Sequence, residues 1–382
     1  MQTDLLLITP PFTQLNTPYP GTVYLKGFLN TKSYKVGQSD LGLEVLLNLF
    51  SKQGLTDLFN AIERQQLSLG VNAARMVMLK EDYIHSIDAV IAFLQGNNAT
   101  LANSIVVDGF LAEGSRFAQL DDLDWAFGSL SFQDKAKHLA TLYLDDLSDL
   151  IVETVDENFG FSLYAERLGR SANSFDELYA SLHAEPTYID QLTLKQLDEV
   201  IARFNPKTIG FSVPFPGNLY SAFRCAQYIK ENYPALKITM GGGFPNTELR
   251  SLSDPRVFEF FDFITLDDGE APVEQLLKFI NNEASLDELK RTFTLVDGQV
   301  KYINNPLVKD YKFSEVGTPD YSDLWLDKYI SVMEVVNPMH RLWSDGRWNK
   351  LTMAHGCYWG KCTFCDISLD YIKVYEPIAA RL

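Results

Sequence analysis

Short apolar runs, each bounded by turn residues, recur in the first 50 residues and again between residues 197 and 285. Amphipathic stretches separate them, as in right-handed βαβ units. Short runs that are apolar on both faces are typical of buried parallel strands. The pattern therefore predicts an α/β fold with a parallel sheet. The five predicted strands are Asp4–Ile8, Lys35–Asp40, Thr208–Val213, Lys237–Met240 and Phe263–Leu266.

The stretch between the second and third predicted strands has a different character. Long amphipathic segments dominate it, at Leu55–Gln66, Ile84–Leu94 and Lys135–Val155. We interpret residues 51–196 as a helical insert that interrupts one α/β domain, formed by residues 1–50 and 197–285. If the first strand joins the later ones, the sheet is flavodoxin-like, a Rossmann-like arrangement of five strands.

After the α/β domain, the alternation of apolar residues in Thr292–Ile303 around Asp297-Gly298 predicts a β-hairpin with a two-residue turn. We assign it to a connector, residues 286–345. A further strand is predicted at Lys350–Ala354, in a C-terminal region that comprises residues 346–382.

Composition narrows the class of protein. The 382 residues include 50 acidic and 33 basic side chains, a net charge of −17 that repels phosphate backbones and makes a nucleic-acid partner unlikely. No apolar run approaches the roughly 20 residues of a membrane helix, and the first residues lack the pattern of a signal peptide. We therefore expect a soluble, cytoplasmic protein with no membrane partner.

Glycine- and proline-containing loops follow the predicted strands, at the edge where α/β sheets bind ligands. Three consecutive glycines after a buried strand allow close approach of a flat or phosphorylated ligand, although a tight turn with positive φ would also need them. Glu270 is a candidate for ligand contact or for capping of the next helix. The loop residues singled out are Thr9, Pro10, Pro11, Val213, Pro214, Gly241, Gly242, Gly243, Gly269 and Glu270.

Three of the four cysteines, Cys357, Cys362 and Cys365, lie within nine residues. Three thiolates in one loop can bind three irons of a [4Fe–4S] cluster and leave the fourth iron open. The alternative is a structural zinc site completed by His355, but His355 lies only two residues before Cys357, which is a poor spacing for two ligands of one zinc. The fourth cysteine, Cys225, is predicted to be a small core residue.

These motifs together resemble one family. Thr9–Phe12, Pro20–Leu25, Gly241–Asn246 and Phe263–Glu270 are similar to the N-terminal part of B12-binding-domain-containing radical S-adenosylmethionine proteins, and the cysteine string resembles the cluster loop of that superfamily. The resemblance implies that cobalamin lies over the ten loop residues named above, that the three cysteines bind the cluster, and that Phe364 lies beside the adenine of S-adenosylmethionine. One departure is that Thr9–Asn16 contains no histidine to bind cobalt.

The resemblance also implies a function. The cluster would reductively cleave S-adenosylmethionine to start radical chemistry on a small molecule or peptide, with methyl transfer to an unactivated carbon as one candidate reaction and a flavodoxin or ferredoxin as electron donor. Only 17 residues follow Cys365, so we expect the incomplete start of a (β/α) barrel, with its first helix at Pro377–Leu382. The alternative function is a non-catalytic corrinoid-binding module with structural zinc.

Overall fold

The computed structural model describes residues 2–107, 109–122, 131–161, 164–170, 175–333, 351–361, 369 and 375–377. Its largest sheet has seven strands in the order β2-β1-β3-β4-β5-β6-β7. The first five along the chain are parallel, and their order, 2-1-3-4-5, is found in doubly wound, Rossmann-like sheets. The strands are β1 (Thr3–Thr9), β2 (Val36–Asp40), β3 (Pro206–Ser212), β4 (Lys237–Gly241), β5 (Phe263–Thr265), β6 (Thr292–Val296) and β7 (Gln299–Ile303).

The expected α/β class and the five predicted strands are confirmed, but a sheet of only five strands is wrong. The predicted hairpin adds β6 and β7 to the same sheet. β6 pairs antiparallel with β5, with Thr294 opposite Phe263, and β7 pairs with β6. Turn chemistry at Asp297-Gly298 predicts a hairpin but does not say which strand it will join.

Helices cover both faces of the sheet. Asp40 caps α2, since its carboxylate accepts from the Leu43 N–H at 3.1 Å. Thr187 and Asp190 form a capping box at the start of α10. The helices are α1 (Pro20–Thr31), α2 (Leu41–Leu49), α3 (Lys52–Gln65), α4 (Val71–Met78), α5 (Lys80–Leu94), α6 (Leu101–Val107), α7 (Phe132–Thr154), α8 (Glu166–Arg170), α9 (Asp176–Leu182), α10 (Tyr188–Phe204), α11 (Leu219–Asn232), α12 (Gly243–Glu248) and α13 (Glu270–Ile280).

The two faces of the sheet differ in what they bury. Ile209, Ile238 and Met240 belong to a core that extends without interruption into the helices of the insert. The other face packs against α1 and α13 through a smaller core that contains Leu5 and Val273. The insert is therefore packed against the sheet rather than tethered to it.

A buried ion pair also joins the insert to the α/β domain. Arg224 of α11 lies 3.2 Å from Asp190 of α10, and both side chains are almost fully buried. Tyr220 donates to the same carboxylate at 2.7 Å. Arg224 also donates at 2.8 Å to the carbonyl of Leu182, at the end of α9. The network satisfies both charges and fixes three helices relative to one another.

The segment 304–333 runs back from the hairpin across α1 and β2. The ammonium group of the buried Lys26 donates to Asp323 at 2.6 Å. Farther along, the Tyr329 hydroxyl donates to Asp40 at 2.7 Å. These two hydrogen bonds fix this part of the connector to α1 and to the residue that caps α2.

The cysteine segment, which we define as Leu351–Lys361, contains the strand β8 (Ala354–His355), paired antiparallel with β9 (Glu376–Pro377). In the described residues, the strand expected at Lys350–Ala354 begins at Ala354. Pro377 lies in β9 and does not begin a helix, so that prediction is wrong at this residue; the rest of the expected helix lies outside the described residues. None of the helices in the described ranges combines the length and the apolar character that crossing a membrane requires.

Candidate functional site

A cavity of about 350 Å³ lies at the carboxyl half of the parallel strands, on the face that α1 and α13 cover. In open α/β sheets, ligands bind at this end of the strands. The volume lies within the range of small-molecule sites. Strands β1, β3, β4 and β5 form the floor, α1 and α13 form the sides, and the loop after β5 forms the mouth.

Small side chains on the central strands make the floor deep. Leu7, Gly210 and Thr239 lie side by side on β1, β3 and β4, and all three line the cavity. A Cβ added to Gly210 would lie 3.2 Å from Leu7 Cδ2 and 3.5 Å from Leu5 Cδ1 and Thr239 Cγ2, so a larger residue there would press against side chains that line the cavity. The buried Thr239 hydroxyl has no hydrogen-bond partner in the described residues. A buried hydroxyl without a partner beside a cavity is a candidate ligand contact.

These floor residues were not among the predicted site residues, although the sequence contains their signal. In Thr208–Ser212 and Thr239–Gly241, small or polar residues alternate with large apolar ones. Strands buried on both faces usually consist of continuous Val, Ile and Leu. The alternation of small residues therefore indicates a strand face with little side-chain volume, which the covering helices either fill or leave open.

Acidic side chains lie at the mouth. Asp267, Asp268 and Glu270 all line it, immediately after β5. Asp267 has positive φ and is paired with Arg250 and, at 3.7 Å, with Arg291. Burial raises the pKa of Glu270, and the neighbouring Asp268 raises it further. The mouth thus offers carboxylate acceptors to a ligand that bears N–H or O–H donors.

Part of the wall comes from the cysteine segment. Thr352 and His355 both line the cavity. The Thr352 N–H donates to the Tyr24 hydroxyl at 2.7 Å, and His355 Nε2 lies 3.1 Å from Asp268 Oδ1. This contact with Asp268 raises the pKa of His355. The imidazole of His355, which the alternative interpretation makes a zinc ligand, therefore contacts Asp268 in the loop after β5.

The predicted loop residues divide into two groups. Gly241, Gly242, Gly269 and Glu270 line the cavity, and Glu270 is the first residue of α13. The other six lie at the end of β1, in the loops after β1 and β3, or at the start of α12, and do not line it. These are Thr9, Pro10, Pro11, Val213, Pro214 and Gly243.

Two of the three consecutive glycines also have a packing role. Gly242 has φ of 110°, and an added Cβ would lie 2.6 Å from the Val213 carbonyl oxygen. At Gly243 the added Cβ would lie 2.7 Å from the Pro214 carbonyl oxygen. The loops after β3 and β4 can pack this closely only because these residues are glycines. At Gly242 the structure thus favours the tight-turn interpretation, and at Gly243, whose φ is not positive, it shows close packing of the two loops.

Of the predicted cluster ligands, Cys357 lies in the described residues, where its sulfur accepts from the Gly360 N–H at 3.3 Å. Cys362, Cys365 and Phe364 lie outside the described residues. Cys225 is fully buried in α11, as predicted for a core residue, and burial raises its pKa.

No family model, curated protein or solved structure matches this chain. What it binds has therefore to be inferred from its own residues. Two features are adjacent in space: a cavity at the carboxyl end of a parallel sheet, and the segment that contains the first of three clustered cysteines.

Proposed function

We propose that this chain is a cobalamin-binding radical S-adenosylmethionine protein, with cobalamin at the cavity and a [4Fe–4S] cluster at Cys357, Cys362 and Cys365. The observation that supports this best is that the cysteine segment contributes Thr352 and His355 to the wall of the cavity. A corrinoid site and a cluster site would then be neighbours, as chemistry that uses both cofactors requires.

The cavity suits part of cobalamin better than the whole. Its volume and its apolar floor, with Leu5 and Leu7, suit the aromatic base of the nucleotide tail. The corrin macrocycle is too large for it and would lie outside, over the loops that contain Gly241 and Gly242. Corrin side chains end in amides, whose N–H groups can donate to Asp268 and Glu270. We therefore propose that this site binds the tail inside and the ring at its mouth.

The protein's own groups would have separate roles at the two sites. The small residues of the floor, Gly210 above all, leave the space that the tail needs. The three thiolates would hold the cluster, and Phe364 would lie beside the adenine of S-adenosylmethionine. When bound, the cluster would supply the electron that cleaves S-adenosylmethionine. The proposal extends to a flavodoxin-like fold for the sheet, to the start of a (β/α) barrel in residues 346–382, and to a small-molecule or peptide substrate.

The cluster is tested by anaerobic reconstitution with iron and sulfide. We expect about four irons and four sulfides per chain and absorbance near about 400 nm. Both should be lost when Cys357, Cys362 and Cys365 are replaced by alanine, and Cys225→Ala, at the buried cysteine, should leave both unchanged. Stoichiometric zinc in place of iron would contradict the radical assignment and support a corrinoid module with structural zinc.

Cobalamin is tested separately, on the triple cysteine variant, so that the cluster spectrum does not interfere. Hydroxocobalamin is dialysed to equilibrium against the protein, and the bound corrinoid is read from its absorbance. We expect one molecule per chain. Failure to bind cobalamin would refute the corrinoid part of the proposal and would leave the cluster result standing.

A further inference from the structure

The cysteine segment is anchored by residues that themselves line the cavity. Tyr24, on α1, accepts from the Thr352 N–H at 2.7 Å, and Asp268, after β5, is 3.1 Å from His355. All four residues line the same cavity. The groups that position the segment are thus groups that a ligand in the cavity would touch.

The segment 304–333 provides a third anchor. The ring of Phe313 lies parallel to that of His355, with 6.1 Å between the ring centroids, and it also lines the cavity. The backbone N–H of Phe313 donates to the Glu376 carboxylate at 2.9 Å. Glu376 is in turn the strand partner of His355. The short β8–β9 ladder is therefore anchored to α1, to the loop after β5 and to the segment 304–333.

Cys357 follows His355 by two residues and is partly exposed. Its placement depends on the anchors, because the chain between His355 and Cys357 contains only Gly356. A ligand that orders Tyr24 and Asp268 will therefore order the cysteine as well. Coupling between two sites is reciprocal, so a fixed cysteine segment will in turn favour the bound ligand.

We propose that Tyr24 and Asp268 are positioning residues that couple occupancy of the cavity to the placement of Cys357. This inference rests on the proposed function, in which the occupant is cobalamin. Cobalamin binding then reduces access of reagents to the Cys357 thiol through the two anchors, and the effect does not require direct contact between corrinoid and cysteine.

The experiment uses the full chain without its cluster, under anaerobic conditions, with hydroxocobalamin as the probe. Alkylation by iodoacetamide is followed over time by mass spectrometry after trypsin digestion. Cleavage at Lys350 and Lys361 gives the peptide Leu351–Lys361, in which Cys357 is the single cysteine. The rate at Cys357 is thus measured apart from those at Cys362 and Cys365.

In the wild type, saturating hydroxocobalamin should slow alkylation of Cys357 about tenfold, a typical coupling between sites. Tyr24→Phe removes the acceptor for Thr352, and Asp268→Asn weakens the contact with His355. Because both residues line the cavity, the Kd of each variant for hydroxocobalamin is measured first, and alkylation is compared at concentrations that saturate that variant. Both variants should then lose most of this protection. Tyr302→Phe and Asp297→Asn, on the hairpin at positions that do not line the cavity, are the matched controls and should keep the protection.

The outcomes separate this inference from the proposed function. If cobalamin binds and Cys357 is not protected in the wild type, the coupling is refuted and the cobalamin site stands. Protection that persists fully in both anchor variants would mean direct shielding by the ligand and would overturn the positioning role. If no cobalamin binds to a folded chain, the corrinoid proposal fails and the coupling fails with it.

Discussion

At the scale of single residues, Gly210 distinguishes a cavity from a filled core. It lies between Leu7 and Thr239, and a larger side chain at this position would project from the floor toward the cavity. Its strand neighbours Ile209 and Phe211 belong to the large core shared with the insert. One position in β3 thus provides space on one face, while the adjacent positions provide packing on the other.

Gly210→Val should weaken ligand binding and keep the fold, with a small shift of Leu7, from whose Cδ2 the new Cβ would lie 3.2 Å. Valine suits a strand, and its methyl groups would occupy the deepest part of the cavity, so the Kd for hydroxocobalamin should rise more than about tenfold. Equilibrium dialysis measures the affinity, and far-UV circular dichroism checks the fold. Thr208→Val is the control, because Thr208 is buried on the same strand but does not line the cavity. Undiminished affinity in a folded Gly210→Val protein would exclude the cavity as the corrinoid site.

At the scale of elements, most of the parallel strands could be predicted from the sequence because they are short apolar runs with a turn signal after them. The exception is β2, in which Val36 is the one large apolar residue. The partner of the hairpin could not, because pairing between β5 and β6 depends on contacts across the sheet. The cavity was also missed. Gly210 and Thr239 fit a strand pattern equally well whether the space above them is filled or open, and that depends on where α1 and α13 pack.

The segment 304–333 belongs to the predicted connector, but its path along the α/β domain could not be predicted from the sequence. Its Tyr329 donates to Asp40, the residue that also caps α2. Burial raises the pKa of Asp40 to about 6, against the hydrogen bonds from Tyr329 and Leu43, which lower it. The cap of one helix and the anchor of this segment thus share one buried carboxylate.

The raised pKa predicts how stability depends on pH. The folded state retains the Asp40 proton in a range where the unfolded chain has lost it, so this group's contribution to stability falls as the pH rises from about 4 to about 6. Asp40→Asn removes this dependence, so the free energy of unfolding of the variant should rise relative to that of the wild type by roughly 3 kcal/mol as the pH rises from below about 4 to above about 6. Urea unfolding at several pH values measures the difference. A difference that does not change with pH would contradict the raised pKa.

At the scale of the whole molecule, the insert and the sheet unit are expected to unfold together. One apolar core contains Tyr143 of the insert and Met240 of the sheet. The ion pair between Asp190 and Arg224 crosses the same boundary. Cooperative unfolding requires that neither part keep its own core after separation, and a shared core meets that condition.

Arg224→Met should therefore destabilise the insert and the α/β domain equally. It leaves the Asp190 carboxylate buried without its cation, which typically costs about 3–5 kcal/mol of stability. Arg256→Met is the control, because its partners Asp176 and Asp254 are more exposed and exposed ion pairs contribute little to stability. Urea unfolding, followed by far-UV circular dichroism and by hydrogen exchange of peptides from α7 and from β3, measures the stability of the insert and of the sheet.

A single transition that moves to lower urea for both sets of peptides is expected, because removing the cation weakens a contact that the insert and the sheet share. Earlier exchange in α7 alone would show that the insert folds on its own core, and its contact with the sheet would then be an interface between two domains.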